Sequence, residues 1–395
     1  MISDVAAPSA PEGSSRLITR PFVMVMLAGF AYFVAVGAMM PVLPRYVKGE
    51  LDGGGLQVGL TGTAFAVSAA LCRPWIGRVG DMYGRRILAV GGAALGGVSI
   101  MAYGLAGTLP VLLAARLFTG AGEAAFFTGC VTANQDLAPA NRRGEAASYY
   151  SVSLYGGLAV GPALGETLFK ATNYTTVFVV FGLCSLVAAL VGLAIPIGNT
   201  VAHPPKSDWL HRAALWPGIV LALGLVPLVA YNSFLPLYAD SVGFADVGPV
   251  LAVYAGLIFT IRIFGARLPD KVGWRKTTVA ALAGVASGVG ILGLWGSSAA
   301  IWIGSITLAL GMSLLYPALL TAVMDATPDT ERTRAVATFT LFFDVSTGLG
   351  AALVGGVVSV GNERSGFVVA GLCAAVGLVA LRALRDRIGR PAPAA

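Results

Sequence analysis

The chain has 395 residues, of which 56% are hydrophobic and 11% charged, with a mean hydropathy of +0.80 and a formal net charge of +7. Soluble domains carry about 25% charged residues, so this composition excludes a soluble globular protein and describes one built to sit in lipid. The positive charge is spread over short loops between apolar stretches, and it calls for no nucleic-acid partner.

Residues 1–21 form a polar tail containing Pro and Ser, without the short apolar core and small-residue site of a cleaved signal peptide. Apolar stretches long enough to cross a hydrocarbon core of about 30 Å then follow at 22–44, 56–78, 87–107, 109–134, 146–170, 175–197, 213–238, 247–268, 276–296, 299–326, 333–360 and 364–384. The expected organisation is an N-terminal six-helix bundle over 22–197, a linker over 198–212, a C-terminal six-helix bundle over 213–384 and a tail over 385–395. Gly198, Asn199, His203, Pro204, Pro205, Lys206, Ser207 and Asp208 break the hydrophobic pattern in the linker. His203 and His211 lie in it or at its end, where a solvated histidine is expected.

With both termini on one side, nineteen basic residues share that side, and only Arg45, Lys48, Lys170 and Arg364 fall on the other. That asymmetry places the basic side and both termini in the cytoplasm, which makes the chain a multi-pass protein of the inner cell membrane. Cys72, Cys130, Cys184 and Cys373 sit inside apolar stretches without ligand spacing, so neither disulfides nor a metal site are expected.

A motif recurs at an offset of 189 positions. Arg73, Asp81 and Gly84 map onto Arg262, Asp270 and Gly273 (73+189=262, 81+189=270, 84+189=273), and Gly77 maps onto Ala266. Asp136, Pro139, Gly122 and Gly161 carry over to Asp325, Pro328, Gly311 and Gly350 at the same offset. Two related halves of apolar helices are the build of secondary transporters, whose sites lie between the halves. Within the first copy, Gly77 and Gly84 permit a tight turn and close helix approach, and Asp81 is placed to cap a neighbouring helix N-terminus. Arg85 and Arg86 are placed to reach carboxylates.

The run Gly77-Arg-Val-Gly-Asp81-Met-Tyr-Gly84-Arg85-Arg86 resembles the loop signature of the major facilitator superfamily. Arg116-Leu-Phe-Thr-Gly120-Ala-Gly122 is similar to that family's fourth-helix motif, and Gly157-Leu-Ala-Val-Gly161-Pro162-Ala-Leu-Gly165 is similar to the fifth-helix motif of its antiporting exporters. Glu166 stands where the second of two closing glycines is usual, and Ser305 stands where Arg116 would repeat. The resemblance implies an all-α membrane protein of twelve transmembrane helices in two pseudo-symmetric six-helix bundles. It also implies alternating access, with Gly77, Asp81, Gly84, Arg85, Arg86 and Asp270 as the latch of one state, and association of Arg116 with proton coupling.

Charges at bilayer depth cost several kcal/mol by most scales and so point to function or to pairing. Arg73 and Arg262 read as paired or snorkelling. Glu123 follows Arg116 by seven residues on one helix face, and it is either a proton-coupling or substrate site or a fixed partner of Arg116. Asp344 is either a second proton or cation site or a buried partner of Arg73. Glu166 and Lys170 form a helical i,i+4 pair.

By the family's fold, Tyr32, Glu123, Phe127, Tyr231, Asn232 and Tyr316 would line a central cavity, with Tyr155, Tyr254 and Asp344 beside them. Pro227 is expected to break the seventh helix at mid-depth. Aromatic groups with two carboxyls and an arginine suit an amphipathic organic molecule. The expected function is proton-coupled efflux of such a compound, without a cofactor other than the proton gradient, by a protein whose partners are its substrate, protons and the bilayer, and which needs no second copy. Proton-coupled uptake of a sugar or metabolite and a non-transporting membrane receptor are the alternatives. No enzymatic constellation and no nucleotide-binding loop occur.

Overall fold

The computed structural model describes residues 17–53, 55–196, 210–244 and 247–383. The tails and most of the linker, with His203, lie outside these. Thirteen α-helices and no strand occur among the described residues. In chain order they are α1 (Arg20–Gly49), α2 (Gly55–Tyr83), α3 (Arg85–Ala102), α4 (Leu109–Leu137), α5 (Arg143–Ala171), α6 (Tyr174–Gly192), α7 (Arg212–Ser241), α8 (Gly248–Phe264), α9 (Leu268–Val272), α10 (Trp274–Leu294), α11 (Ser298–Asp325), α12 (Arg332–Val360) and α13 (Glu363–Ala383).

Nine of these helices are apolar and long enough to cross a membrane on composition alone. Of the remaining spans, α2 and α5 carry polar side chains toward the opposite half, and α8 is short. Together with α12 they make the seam: α2 packs on α12, and α5 packs on α8 and α11. The expected span 247–268 is cut at Phe264 because Pro269 occupies the repeat position of Gly80 (80+189=269). Proline has no N–H for the carbonyl four residues back, and its ring crowds that carbonyl. The first half therefore has one continuous helix where the second has α8 and the short α9.

Pro227 does not break α7, which runs continuously from Arg212 to Ser241. One missing ladder bond is tolerated where flanking turns stay bonded and α11, α12 and α13 hold the helix laterally. Inside each half, glycine lets backbones touch. A Cβ at Gly122 would lie 2.8 Å from the Gly92 carbonyl oxygen, and one at Gly311 would lie 2.5 Å from that of Ala281, the same contact moved by 189 residues.

His211 is buried rather than solvated. It is 4% exposed, its backbone N–H donates to Thr338 Oγ1 at 2.9 Å, and its Nε2 sits 2.8 Å from Glu331. Burial holds the imidazole below its usual range, against the pull of Glu331.

Candidate functional site

The halves are tied at the end of the bundle where the basic loops gather. Asp81 at the foot of α2 accepts the backbone N–H groups of Thr333 (3.1 Å) and Arg334 (3.3 Å), the open N-terminus of α12 in the other half. Asp270 on α9 accepts those of Gly144 and Glu145, both at 2.9 Å, at the N-terminus of α5. The first four N–H groups of a helix lack partners within it and carry its positive dipole end, so each aspartate neutralises a terminus that the opposite half supplies. The partners obey the same offset (144+189=333, 145+189=334). Burial pushes the Asp270 carboxyl up, against the two backbone N–H groups that favour its charge.

Two ion pairs repeat the exchange. Arg332 reaches Asp136 and Arg143 reaches Asp325, each at 2.9 Å, and both members shift by 189 between the pairs. Arg85, fully buried, adds Nε to Asp136 at 2.9 Å and Nη2 to the Asp329 carbonyl at 2.7 Å. Arg86 does not join the latch: its Nε donates to the Ile195 carbonyl at 2.6 Å within its own half.

The glycines of the motif have separate duties. Gly84 and its copy Gly273 hold φ of 90° and 91°, where a side chain would be strained. A Cβ on Gly77 would lie 2.8 Å from Arg334 Cα across the seam. Gly80 leaves room for the Thr333 side chain, whereas in the second copy Pro269 has the bulk and Gly144 yields the space.

Eight residues up from Asp81, about 12 Å at 1.5 Å per residue, stands Arg73, 3% exposed. Its Nε and Nη2 hold Asp344 of α12 in a two-point ion pair, Nη2–Oδ1 being 3.2 Å, and its Nη1 donates to Thr340 Oγ1 at 3.1 Å. Glu123 of α4 approaches the same guanidinium at 3.6 Å. The Phe127 ring lies beneath it, 5.8 Å from the guanidinium carbon. One arginine thus serves two carboxylates from opposite halves, and Asp344 is paired with Arg73 in this structure.

Arg116 is not the partner of Glu123. Seven residues on one helix face are still about 10 Å apart along the axis, and Arg116 instead donates to the Thr61 carbonyl at 3.0 Å and the Tyr103 hydroxyl at 3.2 Å and stacks on Phe65. Arg73 was the missing partner, and only packing of α2 on α4 brings it there. Glu166 pairs with Lys170 at 3.2 Å as expected, and with Arg45 on α1.

The aromatic residues divide into two groups. Tyr32 and Tyr231 are fully buried in their own bundles and do not line a cavity: Tyr32 stacks on Phe126 with its hydroxyl against Gly96, and Tyr231 stacks on Tyr254 and donates to Ser305 Oγ at 2.9 Å. Asn232, next in the chain, is exposed. Phe127, Tyr155, Tyr254 and Tyr316 gather along the seam near Arg73 and Arg262, with the Arg262 guanidinium 4.5 Å from the centre of the Tyr155 ring. Gly157, Gly161, Pro162 and Gly165 face α1, where a Cβ on Gly161 would lie 2.5 Å from the Val34 carbonyl oxygen, so the observed work of this motif is helix packing inside the first half. No cluster of His, Cys, Asp and Glu fit for a metal ion occurs among the described residues.

This geometry, two bundles exchanging helix caps at one end with a charge cluster across their seam, defines a membrane transporter of the facilitator type. The sequence model of the Major Facilitator Superfamily matches residues 25–307 and 246–395, and the chain belongs to that family. It is 26% identical to an uncharacterized MFS-type transporter of Salmonella typhimurium LT2 over 90% of this chain and 94% of the relative. It is 27% identical to the uncharacterized MFS-type transporter YhhS of Escherichia coli K12, over 92% and 90%. In fold it is similar to the human organic anion transporter MFSD10, with a TM-score of 0.79, 16% identity and coverage of 92% and 99%. It is similar also to FucP in its outward conformation, with a TM-score of 0.76, 16% identity and coverage of 93% and 99%.

Proposed function

We propose that the protein is a proton-coupled exporter of a small amphipathic organic compound in the inner cell membrane, working by alternating access with its basic end and both termini in the cytoplasm. The observation that carries this is the sharing of Arg73 between Asp344 and Glu123. Moving α2 away from α12, as opening the basic end requires, parts Arg73 from Asp344 but leaves it beside Glu123 of its own half. In the closed state Glu123 is the looser of the two carboxylates and the one that exchanges a proton. In the open state Glu123 takes over the arginine, and Asp344 loses its counter-ion. Proton occupancy and conformation are tied because one cation cannot serve both carboxylates in both states. Export rather than uptake rests on the likeness of Gly157 to Gly165 to the exporters' helix motif.

The test is proton exchange by purified protein in weakly buffered detergent on addition of small amphipathic anions, cations and neutral compounds. Proton release on binding, abolished in Glu123→Gln, is expected. Proton uptake on binding would replace export by co-transport, and binding without any proton exchange would overturn the coupled mechanism.

A further inference from the structure

The second copy of the seam arginine has lost both carboxylates that the first copy uses. Arg262 is 4% exposed, and its Nε and Nη1 have no hydrogen-bond partner among the described residues. At the offset of 189, the places of Asp344, Glu123 and Thr340 are taken by Tyr155, Met312 and Ser151 (344−189=155, 123+189=312, 340−189=151). Ser151 keeps the hydroxyl and donates it to the Ala147 carbonyl at 2.8 Å, as Thr340 does to Val336, but it accepts no N–H from Arg262 among the described residues. What Arg262 keeps is the Tyr155 ring at 4.5 Å, a cation-π contact that offsets part of a buried charge but accepts no N–H.

Two further donors share this condition. The hydroxyls of Tyr254 and Tyr316 are buried without a hydrogen-bond partner among the described residues, and both rings lie within electrostatic range of Arg262 and Tyr155. Tyr155 itself is 37% exposed, which gives this corner access from outside the packed core. A buried guanidinium and two phenolic O–H groups that lack acceptors, set among aromatic faces, form a receptor for an anionic head on an apolar body.

We infer that Arg262, with Tyr254 and Tyr316 as donors and Tyr155 as the stacking face, binds the anionic group of the transported compound, which is an organic carboxylate or a related oxyanion. This rests on the reading of the seam as the transport site, but not on the direction of transport.

The test uses the full chain in detergent and three probes that share one body, 4-phenylbutyrate, 4-phenylbutyramide and 4-phenylbutylamine. The carboxylate should bind and raise the melting temperature, at least about tenfold more tightly than the amide or the amine, as expected for a charged hydrogen bond in a desolvated site. Arg262→Gln should lose that preference. Tyr155→Asp should fold, since it restores the carboxylate that Arg73 has at Asp344; it should raise the melting temperature without ligand and abolish binding of the carboxylate. Equal binding of the three probes, no binding of the carboxylate at millimolar concentration, or undiminished binding in Tyr155→Asp would overturn the inference. Glu123→Gln separates this inference from the coupling mechanism, because it should stop proton exchange while the carboxylate still binds.

Discussion

The two ends of the seam treat the internal repeat in opposite ways. At the basic end its caps and exchanged ion pairs are kept: Asp81 and Asp270 cap each other's halves, and Asp136 and Asp325 exchange arginines. About 12 Å higher along α2 it is abandoned, with Arg73 holding two carboxylates while Arg262 holds none among the described residues. A gate has to close the same way from both sides, and the symmetric caps satisfy four orphan N–H groups at two helix N-termini with two aspartates. The transport site proposed above has to distinguish substrate from proton, and two identical sites would not.

The largest expected effect breaks the asymmetric region. Arg73→Gln leaves Asp344 and Glu123 buried together without their shared cation, and should cost about 3–5 kcal/mol, read as a lowered unfolding temperature in detergent. Arg262→Gln removes a charge without a hydrogen-bonded partner and should cost far less, or stabilise. Similar losses in both variants would refute the contrast between the two arginines.

A smaller effect sharpens the symmetric region. Asp81→Ala and Asp270→Ala should each cost about 1 kcal/mol of the closed state, the usual worth of a helix N-cap, shifting its population about fivefold. Distances between spin labels on the loops before α5 and α12 would report the shift. A much larger effect from Asp81 than from Asp270 would show that the two latches are not equivalent.

The smallest effect concerns His211, whose repeat position in the first half is the buried Phe22 (211−189=22). Burial holds the histidine below its ordinary value, so the unfolded chain takes up the proton first. Stability is therefore complete above about pH 6.5 and falls as acid protonates the unfolded form. The unfolding temperature should drop as the pH falls below about 6.5 in wild type, and drop less in His211→Gln. An unchanged slope in that variant would assign the acid sensitivity elsewhere.

Much of this was legible in the amino-acid sequence because the repeat is written in residues that cannot be exchanged freely. Glycine at a positive φ and aspartate at a helix terminus each answer a local demand, so Gly84, Gly273, Asp81 and Asp270 could be found by spacing alone. The helices followed from hydropathy, except where Pro269 cut one and Pro227 failed to. The partners of the buried charges were not legible in the same way. Arg116 and Glu123 share a helix face, yet the cation that meets Glu123 comes from α2, fifty residues away in the chain (123−73=50). Tyr32 and Tyr231 sit on helices expected to line a cavity but turn into their own bundles, since a helix has several faces and hydropathy does not say which one meets water.

The sequence by itself determined that the chain crosses a membrane many times and that it consists of two related halves, because these follow from hydropathy and from local chemistry repeated at a constant distance. Only the tertiary structure decided which arginine serves two carboxylates and which serves none. That outcome depends on which helices pack together across the seam, and contacts between distant residues leave no period in the chain.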